Sequence, residues 1–340
     1  MRSAIDTLLF AFRNLCASVE GKRVLFINAA YHDDLSFLKR GEYVLQQSFK
    51  PYFEALEHSG FVVRPDVPEE EQVFDVVLIL LSKNAKHSRF LIAKGILALK
   101  DGGILLCAAD NKAGGTRIKK VMEAFGVENI RDESRNKARA VWGVNNVSVQ
   151  KNIQDAINEG GNRPIVDGQF VSNVALYGWD KIDRGSAVLA QYLPKDLKGK
   201  GADFGCGYGF LSDYILSHCS KVKRLYCIDG QYEAVELCSS NLKKYDEETE
   251  FLWRDLTQHQ KDINNLDFIV MNPPFHEGKK TDAAIGKAFI QTAYQSLRRG
   301  GCLWMVANNH LPYEEVINDL FFKSEKIYEA QGFKLFRALK

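Results

Sequence analysis

Apolar residues in the second half of the chain fall into short runs separated by stretches with helical spacing. Gly201 to Phe204 reads as a short strand leading into a glycine-rich loop, and Leu211 to His218 as a helix. Arg224 to Ile228 is a β-rich run ending at Asp229, and Tyr232 to Tyr245 places Val235, Cys238 and Leu242 on one helical face. Phe251 and Leu252 begin another short strand. Asp267 to Met271 is a continuous apolar run, as expected of a strand buried on both faces. Ala283 to Leu297 carries Ile285, Ala288, Phe289, Thr292 and Ser296 at helical spacing. Gly300-Gly301 then predicts a break before a further strand, Cys302 to Ala307. Strands alternating with helices predict a mostly parallel, doubly wound α/β sheet.

The first half repeats this order more faintly. Leu99-Lys100-Asp101-Gly102-Gly103 matches Leu297-Arg298-Arg299-Gly300-Gly301, and Phe74-Asp75-Val76-Val77-Leu78 matches Leu266-Asp267-Phe268-Ile269-Val270. Gly21-Lys22 precedes a strand from Arg23 to Ile27, as Gly199-Lys200 precedes the strand into the glycine loop. Three matches in one order predict an internal duplication, two tandem Rossmann-like domains. The copies differ where chemistry would sit. The first has Asn28-Ala29-Ala30-Tyr31 in place of the glycine loop and Leu81-Ser82-Lys83-Asn84 in place of Asn-Pro-Pro. The N-terminal copy is therefore expected to be degenerate. The predicted division is 1–150 for that copy, 151–184 for a linker with a hairpin in Pro164 to Leu176, and 185–340 for the active copy.

Length and composition agree with two globular domains: 340 residues, 46% hydrophobic and 26% charged. A net charge of +2 gives no bulk argument for a nucleic-acid partner. No apolar run is long enough for a membrane span. Met1 to Val19 reads as an amphipathic helix with Leu8, Leu9, Phe12 and Leu15 on one side, not as a signal peptide, since Asp6 and Arg13 interrupt it. The seven cysteines include no C-x-x-C pair, so free buried thiols, no metal site and a reducing, cytoplasmic setting are expected.

Two motifs carry chemistry. The first is Asp203-Phe204-Gly205-Cys206-Gly207-Tyr208-Gly209-Phe210, where glycines permit a sharp strand-to-helix turn and close approach of a ligand. Asp229, 24 residues after Gly205, is placed to accept from a ribose diol, and Asp255 follows the next strand. A nicotinamide dinucleotide would use the same loop and carboxylate, so these residues do not choose the cofactor. The second motif is Asn272-Pro273-Pro274-Phe275, directly after the apolar strand. Two prolines stop the strand at the sheet's carboxyl edge, where ligands of open α/β sheets bind. There the Asn272 side chain and the Pro273 carbonyl are two acceptors able to hold both hydrogens of an amino group, and Phe275 can stack on a planar ring.

Asp203 to Ser212 and Asn272 to Gly278 resemble class I S-adenosylmethionine (SAM) dependent amino-methyltransferases. With Ala307-Asn308-Asn309-His310-Leu311-Pro312-Tyr313 and Phe333-Lys334-Leu335-Phe336-Arg337-Ala338, they resemble the RsmC group, small-subunit (16S) ribosomal RNA guanine-N2 methyltransferases. The resemblance covers about 185–340. It implies SAM held by Asp203, Gly205, Gly207, Gly209, Asp229, Asp255 and Asn272, and a guanine held by Asn272, Pro273 and Phe275. It also implies a duplicated architecture with a cofactor-free first copy. Asp183-Arg184-Gly185-Ser186 keeps the family's look, whereas Tyr177-Gly178-Trp179-Asp180 replaces its usual Phe-Ser.

The implied partner is ribosomal RNA or the small ribosomal subunit, approached by a monomer. Two basic segments are candidate RNA contacts: a helix-and-loop region from Lys112 to Arg139, and Lys279-Lys280 just after the second motif. A solvated surface explains both equally well. His276 is a rim residue or a base contact. The Asn-Pro-Pro motif alone is also compatible with adenine N6 or a protein glutamine as the target. A SAM- or RNA-binding assembly protein is the alternative of a different class.

Overall fold

The computed structural model describes residues 2–16, 18–146, 151–273 and 279–340, the side chains of 279–282 excepted. The chain divides into two compact units, Met1–Asn162 with Asn173–Ala175, and Arg163–Ser172 with Leu176–Lys340.

The first unit runs α1 (Arg2–Leu15), β1 (Arg23–Ile27), β2 (Glu42–Gln46), α2 (Lys50–His58), β3 (Val63–Arg64), β4 (Phe74–Leu80), α3 (Ala85–Ala98), β5 (Leu99–Asp110), α4 (Ile118–Ala124), β6 (Glu128–Arg135), β7 (Ala138–Val144) and α5 (Lys151–Gly160). The second runs β8 (Arg163–Ile165), β9 (Phe170–Ser172), α6 (Arg184–Tyr192), β10 (Lys198–Phe204), α7 (Phe210–His218), β11 (Lys221–Asp229), α8 (Tyr232–Asn241), β12 (Thr249–Trp253), β13 (Leu266–Met271), α9 (Lys279–Ser296), β14 (Leu297–Asn308), α10 (Glu314–Leu320), β15 (Lys323–Ala330) and β16 (Phe333–Leu339).

Each unit holds a seven-stranded sheet, and the two sheets have the same order: β3-β2-β1-β4-β5-β7-β6 and β12-β11-β10-β13-β14-β16-β15. In both, the first five strands pair in parallel and the last two pairings are antiparallel, so β7 and β16 run against their neighbours. This is the doubly wound fold with an internal duplication that the apolar pattern predicts.

The central strands show why the pattern is so legible. In β13, Phe268 and Val270 join the core on one face while Ile269 and Met271 join the core on the other. All four are buried, each contributing about 1.5–3 kcal/mol of hydrophobic stabilisation. A strand covered on both faces must be apolar at successive positions. In the first unit α1 buries Ile5, Leu8, Leu9 and Phe12, as its amphipathic spacing requires. No helix among the described residues is long and apolar enough to cross a membrane. All seven cysteines are free; six are buried and Cys302 is half-buried.

Four expectations are corrected. Gly300-Gly301 does not separate helix from strand but lies inside β14, as Gly102-Gly103 lies inside β5. The β13–β14 register shifts there, with Leu266 opposite Leu297 and Phe268 opposite Cys302, and Gly300 takes φ +74° in the bulge. The 232–245 helix stops at Asn241, followed by a 3-10 turn over Lys243–Tyr245. Lys112 to Arg139 is not helix and loop throughout: after α4 it forms the β6–β7 hairpin carrying Arg131, Arg135 and Arg139. Its charges are partly spent locally, since Arg139 lies 3.5 Å from Asp132 and Arg135 stacks on Phe10 at 3.7 Å. Finally, the β15–β16 hairpin adds two strands that the apolar pattern did not predict.

Candidate active site

Strand register builds the site. Phe204, the last residue of β10, pairs with Ile228 of β11 on one side and Met271 of β13 on the other. The next residues, Asp229, Gly205 and Asn272, therefore share one row across three adjacent strands at the sheet's carboxyl edge. Asp255 follows β12, the next strand outward.

The loop after β10 needs its glycines. Gly205, Gly207 and Gly209 have φ of +81°, +55° and +99°, a region that disfavours side chains with a Cβ. A Cβ at Gly207 would meet nothing within 4 Å, so the loop's backbone borders open space. Asn241 holds this loop from below: its Nδ2 donates to the Tyr208 carbonyl at 2.8 Å and to the Val171 carbonyl at 2.9 Å, while its Oδ1 accepts from the Val171 N–H at 2.8 Å. The β8–β9 hairpin is thereby fastened beneath the loop, where Phe170 packs on Tyr208. Cys206 points inward. Burial pushes its thiol up to about 12, with Asp229 adding and a hydrogen bond from Cys238 opposing.

Three carboxylates follow from this frame. Asp229 is fixed by backbone donors, Gly207 N–H to Oδ2 at 3.0 Å and Gln231 N–H to Oδ1 at 2.8 Å. Burial raises its pKa against the lowering effect of those donors. Asp203 is fully buried; its Oδ2 accepts from the Ser212 hydroxyl at 2.7 Å, and its Oδ1 has no hydrogen-bond partner among the described residues. Burial, reinforced by the charge of Asp229 and opposed by Ser212, pushes its carboxyl up to about 7. Asp255 Oδ1 accepts from the N–H and hydroxyl of Thr257 at 2.8 and 2.6 Å, a local turn.

Asn272 is half-buried and Pro273 buried. The Asn272 Nδ2 donates to Asp183 Oδ1 at 2.7 Å and to Ser186 Oγ at 2.9 Å, at the start of α6. Phe275, His276 and Gly278 lie outside the described residues, as do the side chains of Lys279 and Lys280. The structure thus brings together Asp203, Gly205, Gly207, Gly209, Asp229 and Asn272, with Asp255 on the neighbouring strand end. Asn241 was missed in the sequence, because an Asn at a helix end reads as an ordinary terminus. Asp183 and Ser186 were visible only through the family's look.

A SAM-sized cofactor fits these residues on its polar requirements. Asp229 offers two oxygens, each with lone pairs left for a diol, and the unpartnered Asp203 Oδ1 is an acceptor in need of a donor. Among the described residues, the first unit has no such set. There Gln47 takes the place of Asp229: its Oε1 accepts from Phe49 N–H at 2.8 Å, but its Nε2 is spent on the Ala29 carbonyl at 2.7 Å. Asn28, at φ +55°, stands in the place of Gly205 and donates to the Leu80 carbonyl at 3.1 Å.

A doubly wound sheet with a glycine loop after its first strand and Asn-Pro after its fourth defines a methyltransferase domain, and residues 167–337 match the family described as "Methyltransferase small domain". A protein of Shewanella sediminis named "Ribosomal RNA small subunit methyltransferase C" is 30% identical over 79% of this chain and 78% of its own length. A Salmonella newport protein of the same name is 27% identical over 78% and 75%. The chain belongs to the ribosomal RNA small subunit methyltransferase C family. Its fold is also that of the T. thermophilus 16S rRNA N2 G1207 methyltransferase (RsmC), solved in complex with AdoMet and guanosine. The TM-score is 0.82 with 22% identity, over 98% of this chain and 91% of that one.

Proposed function

We propose that this protein transfers a methyl group from SAM to the exocyclic N2 amine of a guanine in small-subunit (16S) ribosomal RNA. The observation that carries the reading is the Asn272 side chain at the sheet edge, in one row with Gly205 and Asp229, with its amide nitrogen already engaged. The opposite atom of that planar amide, Oδ1, is an acceptor beside the glycine loop.

When bound, SAM supplies a methyl group already activated by its sulfonium, and the chain's residues do the positioning. Asp229 accepts from the ribose diol, and Asp255 lies toward the adenine. Asn272 Oδ1 and the Pro273 carbonyl accept from the two N2 hydrogens and aim the nitrogen lone pair. Phe275 stacks on the base. Holding the two reactants in line accounts for most of the acceleration. The amine is neutral and needs no strong base before attack; its surplus proton leaves afterwards. Drawing a paired guanine out of its helix costs a few kcal/mol, which contacts with the RNA offset.

The first unit, with a neutral Gln47 and a closed Asn28, is inferred to bind no cofactor and to serve as support or RNA docking. Action as a monomer is part of the same proposal, and a ribosomal RNA substrate supports a cytoplasmic setting.

The test incubates the protein and isotope-labelled SAM with small subunits lacking their own methylations and, separately, with naked RNA. Digested nucleosides are then identified by mass. Labelled N2-methylguanosine is expected. N6-methyladenosine would keep the chemistry and overturn the target; no labelled nucleoside would overturn the RNA substrate.

A further inference from the structure

We propose that Asp183 is a positioning residue for this reaction. With Ser186, it locks the Asn272 side-chain amide so that Oδ1, and not Nδ2, faces the target amine. The proposal rests on the reading that Asn272 accepts a hydrogen bond from that amine.

An asparagine amide has two nearly isosteric orientations. One presents an acceptor to an amino group; the other presents a donor to a donor and fails. Something must choose between them. An ionised aspartate only accepts hydrogen bonds. Asp183 Oδ1 lies 2.7 Å from Asn272 Nδ2, a short charge-assisted bond, and Ser186 Oγ accepts at 2.9 Å. Both hydrogens of Nδ2 are thus used, and rotating the amide would set Asn272 Oδ1 against the Asp183 carboxylate.

The bracket is itself held. The same Asp183 Oδ1 accepts from the Ser186 N–H at 2.9 Å, capping α6. Gly185 lets the helix start come this close: a Cβ there would lie 3.1 Å from Asp183 Oδ1, 3.1 Å from Phe333 Cε1 and 3.4 Å from Asn272 Nδ2. Asp183, from a segment 89 positions upstream of Asn272 in the chain, thus meets the reacting edge at Asn272.

Asp183→Ser separates orientation from capping, because serine caps a helix as well as aspartate but its shorter side chain withdraws the acceptor from Asn272. Its kcat is expected to fall about a hundred-fold, while KM and SAM affinity stay within about three-fold and the melting temperature holds. Ser186→Ala, removing only the second acceptor, is expected to lose several-fold in kcat. Added to Asn272→Ala, Asp183→Ser is expected to cost no further turnover, a coupling that a merely structural role does not produce.

Wild-type turnover in Asp183→Ser overturns the proposal. So does a kcat loss that tracks the melting temperature, or a further loss of turnover when Asp183→Ser is added to Asn272→Ala. The wild-type product judges the underlying reading separately. If it is another methylated amine, guanine falls as the target and the variants are compared on that product. If no amine is methylated in any substrate, the proposal falls with the reading.

Discussion

The Gly207 N–H donates to Asp229 Oδ2 across 3.0 Å, so the glycine loop itself aims the carboxylate at the end of the neighbouring strand. Asp229→Asn would place an amide in that position, where its NH2 confronts the Gly207 N–H or surrenders the bond to Gln231. A hydrogen bond to a charged group contributes about 1.5–3 kcal/mol, so SAM affinity is expected to fall roughly ten- to a hundred-fold. Calorimetric titration checks this, and should find a single cofactor site per chain in the wild type.

Asp203 gives a pH signature. Its carboxyl is shifted from an ordinary 3.8 to about 7 by burial, the charge of Asp229 adding to it. A raised acid pKa means that, between those values, the folded state holds a proton that the unfolded state has released. Stability therefore falls as pH climbs through that window and levels off above it. Asp203→Asn removes the cost, with a ceiling of about 4 kcal/mol. The variant is expected to melt higher than wild type at pH 8 and alongside it near pH 4. Affinity for the cationic cofactor should rise with pH up to about 7 in the wild type and stay flat in the variant.

Asn272→Ala is expected to lose about 10²–10³ in turnover, as for removal of one aimed hydrogen-bonding group in an active site. SAM affinity should change far less, since Asp229 and the glycine loop remain. Label incorporation and cofactor titration, measured on the same preparation, separate an enzyme from a protein that only binds.

Gly201→Ala tests the packing beneath the site. A Cβ there would lie 2.1 Å from Cζ of Phe268, which is buried in the second unit's core. Relieving the clash is expected to cost about 1–3 kcal/mol. Each unit has its own cores, so differential scanning calorimetry should show the loss in the second unit's transition alone.

The fold was legible because parallel strands covered on both faces leave unbroken apolar runs, as at Phe268 to Met271. The duplication was legible because the same glycine pair recurs in β5 and β14. The β15–β16 hairpin was not, because β15, Lys323 to Ala330, is an edge strand with mostly polar, partly exposed residues. Asp229 and Asn272 were found by their position after strands. The partners that fix them, Asp183 and Asn241, lie far away in sequence, and only the folded chain brings them in.

Cys206 sits between two glycines of the cofactor loop, a thiol beside what the family uses as a biological alkylating agent. Thiolates, not thiols, attack such electrophiles. Burial, with the charge of Asp229 adding to it, pushes the Cys206 thiol up, so the nucleophilic thiolate is disfavoured at neutral pH. Burying that sulfur under its own loop shields the enzyme from methylation by its own donor.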